Sequence, residues 1–227
     1  MTNAQHLGIV RGLACAVVLV LAATCASAQQ ATPTRTVALA DGRMASTADS
    51  RQALKYLASC ALDADTTLMA EHGGEYFTFP GGIGLAPDWH ARPMTDVEKR
   101  WVSACLLART NRFGIRVEIS LRSSFPSIAP GLQLAPNEAA AFPLEDAGFF
   151  GNLFAAQRVA FVCGPAHTQA QRASLVAQHR VCALPEADGI TTCGMVHVGA
   201  CTADALQQQG VAYQEVIRVF LPSQPPR

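Results

Sequence analysis

The residues best suited to chemistry in this chain are its cysteines and histidines. Beyond residue 28 it holds six cysteines: Cys60, Cys105, Cys163, Cys182, Cys193 and Cys201. Cys163-x3-His167 and His179-x2-Cys182 would offer a zinc ion four nitrogen and sulfur ligands from either side of one helix. Cys193-x3-His197-x3-Cys201 has similar local spacing. The competing chemistry is oxidation. An even number of cysteines in an exported chain reads as a disulfide framework, and a cysteine held in a disulfide cannot act as a thiolate ligand. The expectation is therefore disulfides, with no metal site and no cofactor. The even count also argues against a cysteine nucleophile, because using one would strand another unpaired.

The expectation of export comes from the N-terminus. Arg11 gives a weak positive region, residues 13–23 form an apolar run, and Ala26-Ser27-Ala28 is the small-x-small pattern that signal peptidase accepts. The apolar run is shorter than the roughly 20 residues that span a bilayer. Residues 1–28 are read as a cleaved signal peptide. The alternatives are a membrane anchor that is never cut and a lipoprotein attached at Cys25. Thr24, just before Cys25, departs from the residues a lipobox prefers. Cys15 and Cys25 leave with the leader. Exported in this way, the chain would be periplasmic or secreted, with no transmembrane segment after the leader is removed.

Other catalytic patterns are missing. There is no Gly-x-Ser-x-Gly elbow and no His-Glu-x-x-His. Gly82-Ile83-Gly84 lacks the third glycine of a dinucleotide fingerprint, since Pro87 stands there. Glu145 and Asp146 precede Phe149 and Phe150, so acidic and aromatic groups sit together. Two carboxylates can divide acid and base roles when their environments differ. Adjacent residues seldom face one substrate, however. The best expectation for a working surface is a contact site of Glu145, Asp146, Phe149, Phe150 and Asn152, joined by Trp89. The competing reading is that the phenylalanines fill the core. Trp101 falls on an apolar helical face and reads as core.

Composition bounds the partners. The chain has 227 residues, 17 Lys and Arg and 17 Asp and Glu. Without Arg11 the balance is 16 − 17 = −1, His counted as neutral. A sparsely charged, neutral chain argues against nucleic-acid binding, which needs a basic surface. An envelope or extracellular partner is the expectation that remains.

The elements that must position these residues alternate without a regular βαβ rhythm, which predicts an α+β fold. The expected organisation is a linker over residues 29–47, one domain over 48–221 and a flexible tail over 222–227. The linker has room for a short strand at residues 36–40. Asp49 or Ser50 would cap a first helix ending near Ala61, with Ala53, Leu57, Cys60 and Ala61 on its apolar face. Strands over 66–70 and 75–79 flank a His72-Gly73-Gly74 turn. Thr95 and Glu98 form a capping box for a second helix, whose buried stripe is Val97, Trp101, Ala104, Cys105 and Ala108. Strands are expected over 115–121, 158–163 and 213–221, an extended segment over 195–198, and helices over 168–181 and 202–209. Residues 123–143 read as a long proline-rich connection leading to a working loop over 143–154.

Six cysteines allow many connectivities, and spacing alone does not choose among them. Position suggests Cys60–Cys105, because both fall on apolar helical stripes. It also suggests Cys163–Cys182 and Cys193–Cys201, although these four could trade partners.

Several segments together resemble a known group. They are Ala53-Leu54-Lys55-Tyr56-Leu57 leading to Cys60, Gly84-Leu85-Ala86-Pro87-Asp88-Trp89, Arg100-Trp101-Val102-Ser103-Ala104-Cys105 through Ala108-Arg109-Thr110-Asn111, Ile119-Ser120-Leu121-Arg122, and Phe149-Phe150-Gly151-Asn152-Leu153-Phe154. Their order is similar to uncharacterised exported, cysteine-containing proteins of Gram-negative bacteria. The resemblance implies export and paired cysteines and brings no activity with it. Two functions stay open: a non-enzymatic binding or envelope-associated module, and a secreted hydrolase using the 123–154 region. A pocket joining Glu145 or Asp146 to His72, His90 or His167 would favour the hydrolase.

Overall fold

A computed structural model describes residues 35–123, 129 and 132–223, all within one compact unit. The expected leader lies outside the described residues, as do the end of the tail and part of the proline-rich connection. The fold is α+β. It comprises β1 (Arg35–Ala38), α1 (Ala48–Ala61), β2 (Thr66–His72), β3 (Glu75–Pro80), α2 (Asp96–Ala108), β4 (Ser120–Ser123), α3 (Glu138–Ala141), β5 (Leu144–Asn152), β6 (Val159–Cys163), α4 (Gln169–Ala177), β7 (Val196–His197), β8 (Gln207–Gln208), β9 (Val211–Ala212) and β10 (Ile217–Leu221).

The first sheet has the order β1-β2-β3. β1, inside the stretch read as a linker, pairs in parallel with β2, and a 3-10 turn over Gly42–Ala45 follows it. β2 and β3 form the expected hairpin, with Gly73 and Gly74 at positive φ in its turn. The second sheet has the order β4-β10-β5-β6-β7, antiparallel except for the parallel β6–β7 pair. α1 packs on β3 and on α2, while α2 packs across β5 and β10. The two helices therefore join the two sheets, and the main core lies between them.

Local signals explain the helices. α1 is capped by Thr47, whose hydroxyl accepts from Ser50 N while Ser50 Oγ accepts from Thr47 N. The cap thus falls ahead of the expected Asp49 or Ser50. Leu54, Leu57, Ala58, Cys60 and Ala61 are buried and Ala53 is exposed. α2 has the expected box, Glu98 N donating to Thr95 Oγ1 and Thr95 N to Glu98. Its stripe begins at Trp101 rather than Val97, which is exposed.

Three expected elements are corrected. Residues 115–119 pair with no strand among those described, and β4 starts only at Ser120, where β10 offers a partner. Residues 202–209 are not a helix. Gln209 and Gly210 both take positive φ, which builds the tight turn of the β8–β9 hairpin. α4 ends at Ala177 rather than near 181. His179 N donates to Val176 O and Arg180 N to Leu175 O, with His179 at φ 59, the Schellman arrangement.

Candidate functional site

The expected working loop is a central strand. β5 lies between β10 and β6, and Asp146, Phe149 and Phe150 are each 0% exposed. Strand alternation sends Ala147 and Phe149 into the main core and Phe150 into an aromatic cluster with Phe161 and Tyr213 on the opposite face. These three residues therefore offer no surface to a partner, which corrects the contact-site reading. Glu145 accepts three hydrogen bonds from Arg218, and Asn152 Oδ1 accepts from Phe154 N. Trp89 is half-buried and lines a separate cavity of about 380 Å³ with His90, Met94 and Phe154.

The hydrolase arrangement is also not assembled on β5. His167 Nε2 lies 2.8 Å from the main-chain oxygen of Asp146, while the Asp146 carboxylate meets Arg180. Complete burial pushes the Asp146 carboxyl above its ordinary value, against the pull of Arg180. None of the three cavities described here is lined by Glu145, Asp146 or His167.

The disulfides are Cys60–Cys105, Cys163–Cys201 and Cys182–Cys193. The first is as expected and fastens α1 to α2. The other two correct the expected pairing. The β6–β7 ladder continues past its strands, with Val198 N donating to Val162 O and Gly164 N to Gly199 O. That carries Cys201 alongside Cys163. The bond lies over Gly148, the register partner of Cys163, where a Cβ would sit 3.0 Å from Cys201 Sγ and 3.1 Å from Cys163 Sγ. Among the described residues all six cysteines are oxidised and none is free to serve as a thiolate, and three disulfides fit an oxidising, extracytoplasmic environment. Among the described residues, no group of His, Cys, Asp and Glu is arranged to hold a metal, and no helix is long and apolar enough to cross a membrane.

A larger opening lies elsewhere, where α1 meets the C-terminus of α2 and residues 110–119. One lobe, of about 780 Å³, is mainly apolar and is lined by Met44, Ala53, Leu57, Ile115 and Phe154. A second lobe, of about 600 Å³, is more polar and includes Arg116 and Glu118. Tyr56, Arg109, Asn111 and Ile115 line both, so the lobes meet there. Met44, Tyr56, Ile115 and Phe154 are each about 40% exposed or more, a grouping of large apolar side chains left to solvent.

Arg109 is the C-cap of α2, a position the helix dipole favours for a cation. Its Nη1 donates to Ser59 Oγ at 2.7 Å, and among the described residues it has no carboxylate partner. Burial pulls its pKa down from the usual arginine range, and it remains a cation at neutral pH. Asn111 Oδ1 accepts from Phe113 N at 2.7 Å, which fixes the amide, and its buried Nδ2 has no partner among the described residues. Sequence reasoning assigned no role to either residue. An arginine without a carboxylate is a tertiary fact, and the only local signal was the apolar-polar mixture after Gly114. No known family model, curated protein or solved structure matches the chain.

Proposed function

We propose that the chain is exported to the periplasm or beyond and that its folded part is a non-enzymatic binding module, its ligand held in the cleft between α1 and residues 110–119. The leader pattern, the three disulfides and the resemblance to exported proteins of Gram-negative bacteria support export. The observation that carries the binding reading is the apolar lobe itself. Its size falls in the range of small-molecule pockets, it is mainly apolar, and its lining includes a few polar groups, Arg109 and Asn111 among them. The hydrolase alternative is weakened because Glu145 and Asp146 are both committed to arginines.

The test uses the neutral, environment-sensitive dye N-phenyl-1-naphthylamine. Ala53 is exposed on α1 and lines the apolar lobe, so Ala53→Trp fills the lobe without touching the core. The expected result is saturable dye fluorescence that the variant loses while keeping its melting temperature. Unsaturable fluorescence, or equal binding by the variant, would remove the cleft from consideration.

A further inference from the structure

We infer that the ligand of this cleft is a single-chain amphiphile with a carboxylate head, the head held by Arg109 and the aliphatic chain laid along the apolar lobe. This rests on the binding reading above and adds the ligand class to it.

The charge pattern selects the head. Arg100 is paired with Glu215 and Arg180 with Asp146, while half-buried Arg122 is engaged by Ser120 Oγ, the Phe142 main-chain oxygen and the Phe220 ring; Arg109 is the cation that lines both lobes without a carboxylate among the described residues. Arg109 is half-buried with only a serine hydroxyl on Nη1, so its Nε and Nη2 edge takes no acceptor among the described residues. That edge is the planar pair of donors that grips a carboxylate through both oxygens. Asn111 lines the same opening, its oxygen engaged by the Phe113 amide.

The lining selects the tail. Besides Arg109, the apolar lobe is lined by Leu57, Ala53, Met44 and Phe154. A polar ligand would leave these side chains unmatched, whereas an alkyl chain gains roughly 0.8 kcal/mol for each methylene it buries. Ligand size and polarity thus follow the lining of one opening.

The experiment displaces N-phenyl-1-naphthylamine from the oxidised protein with dodecanoate, dodecanol, dodecyl phosphate or dodecyltrimethylammonium, each below its micelle concentration. Dodecanoate is expected to bind tightest. Arg109→Gln should weaken dodecanoate about tenfold to a hundredfold, the range for one charge-assisted contact, and leave dodecanol unchanged. A merely structural role for Arg109 would weaken all four alike or lower the melting temperature. Equal affinity for dodecanoate and dodecanol in the native protein, or tighter binding of dodecyl phosphate, would overturn the carboxylate assignment while leaving the cleft as a binding site. Absence of any displaceable dye binding would overturn the cleft reading itself.

Discussion

Arg180 and Asp146, 34 residues apart in sequence, form an ion pair closed off from solvent, with Arg180 Nε 2.8 Å and Nη2 2.7 Å from one carboxylate oxygen. The Arg180 side chain is 2% exposed and that of Asp146 0%. The same guanidinium donates to the main-chain oxygens of Ala108 and Thr110, which lie at and just beyond the end of α2. One residue therefore ties β5, the C-terminus of α2 and the turn after α4. The turn at His179 is what aims it inward. Because α2 ends beside Arg109, this buried arginine also sets one wall of the cleft.

Breaking that pair should be costly. Arg180→Met leaves Asp146 buried without its cation and the α2 carbonyls without a donor. The expected loss is about 3–5 kcal/mol in urea unfolding, the range for removing one partner of a buried pair. Asp146→Leu combined with Arg180→Met should recover part of it. A single-variant loss below about 1 kcal/mol would mean the pair carries little of the fold.

The sequence carried the local half of this structure. Thr95 and Glu98 declare the start of α2 because a capping box is a three-residue spacing. Trp101, Ala104 and Cys105 follow at helical intervals, and Cys60 answers from a second apolar stripe, so their disulfide was legible. The remaining pairs were not. Whether Cys163 meets Cys182 or Cys201 depends on the β6–β7 ladder, a contact between segments distant in sequence. The acidic and aromatic residues of β5 misled for a related reason. Asp146 is tolerated in the interior only because Arg180 arrives from the turn after α4, which no local pattern reveals.

The disulfide map is open to peptide mapping without reductant. Three crosslinked peptides are expected, joining Cys60 to Cys105, Cys163 to Cys201 and Cys182 to Cys193. Cys60 and Cys105 are both 0% exposed, whereas Cys201 is exposed, so mild reduction should open Cys60–Cys105 last. Gly148→Ala should cost about 1–3 kcal/mol by overpacking against the Cys163–Cys201 bridge. That cost should fall in part when Cys163 and Cys201 are both alanine, the remainder coming from Val216 Cγ1, which a Cβ would meet at 3.1 Å. A peptide joining Cys163 to Cys182 would contradict the map.

Glu98 gives the fold an acid-sensitive edge. Hydrogen bonds from Arg92, with help from Thr95, pull its carboxyl from 4.5 down to about 2. A carboxylate whose folded pKa is depressed stabilises the fold above its unfolded pKa, and the benefit disappears as pH falls through the folded one. Glu98→Gln should therefore cost about 1 kcal/mol or less at neutral pH, as for a partly exposed cap and ion pair. The gap between wild type and variant should close as pH drops from 4.5 towards about 2. A gap that stays constant across that window would show that the charge plays no part.

Export is tested at the N-terminus. Sequencing of the chain recovered from outside the cytoplasm should begin at Gln29, the residue after Ala26-Ser27-Ala28. Retention of Met1 in a membrane fraction would contradict the leader reading.

The central claim, that an amphiphilic ligand occupies the cleft between α1 and residues 110–119, is tested most directly by amide chemical-shift mapping during a titration with dodecanoate. The expected shifts fall on the exposed face of α1 around Ala53 and Tyr56, on residues 109–115 and on Phe154, and they saturate together. Shifts centred instead on β5 and β6, or spread evenly without saturation, would contradict it.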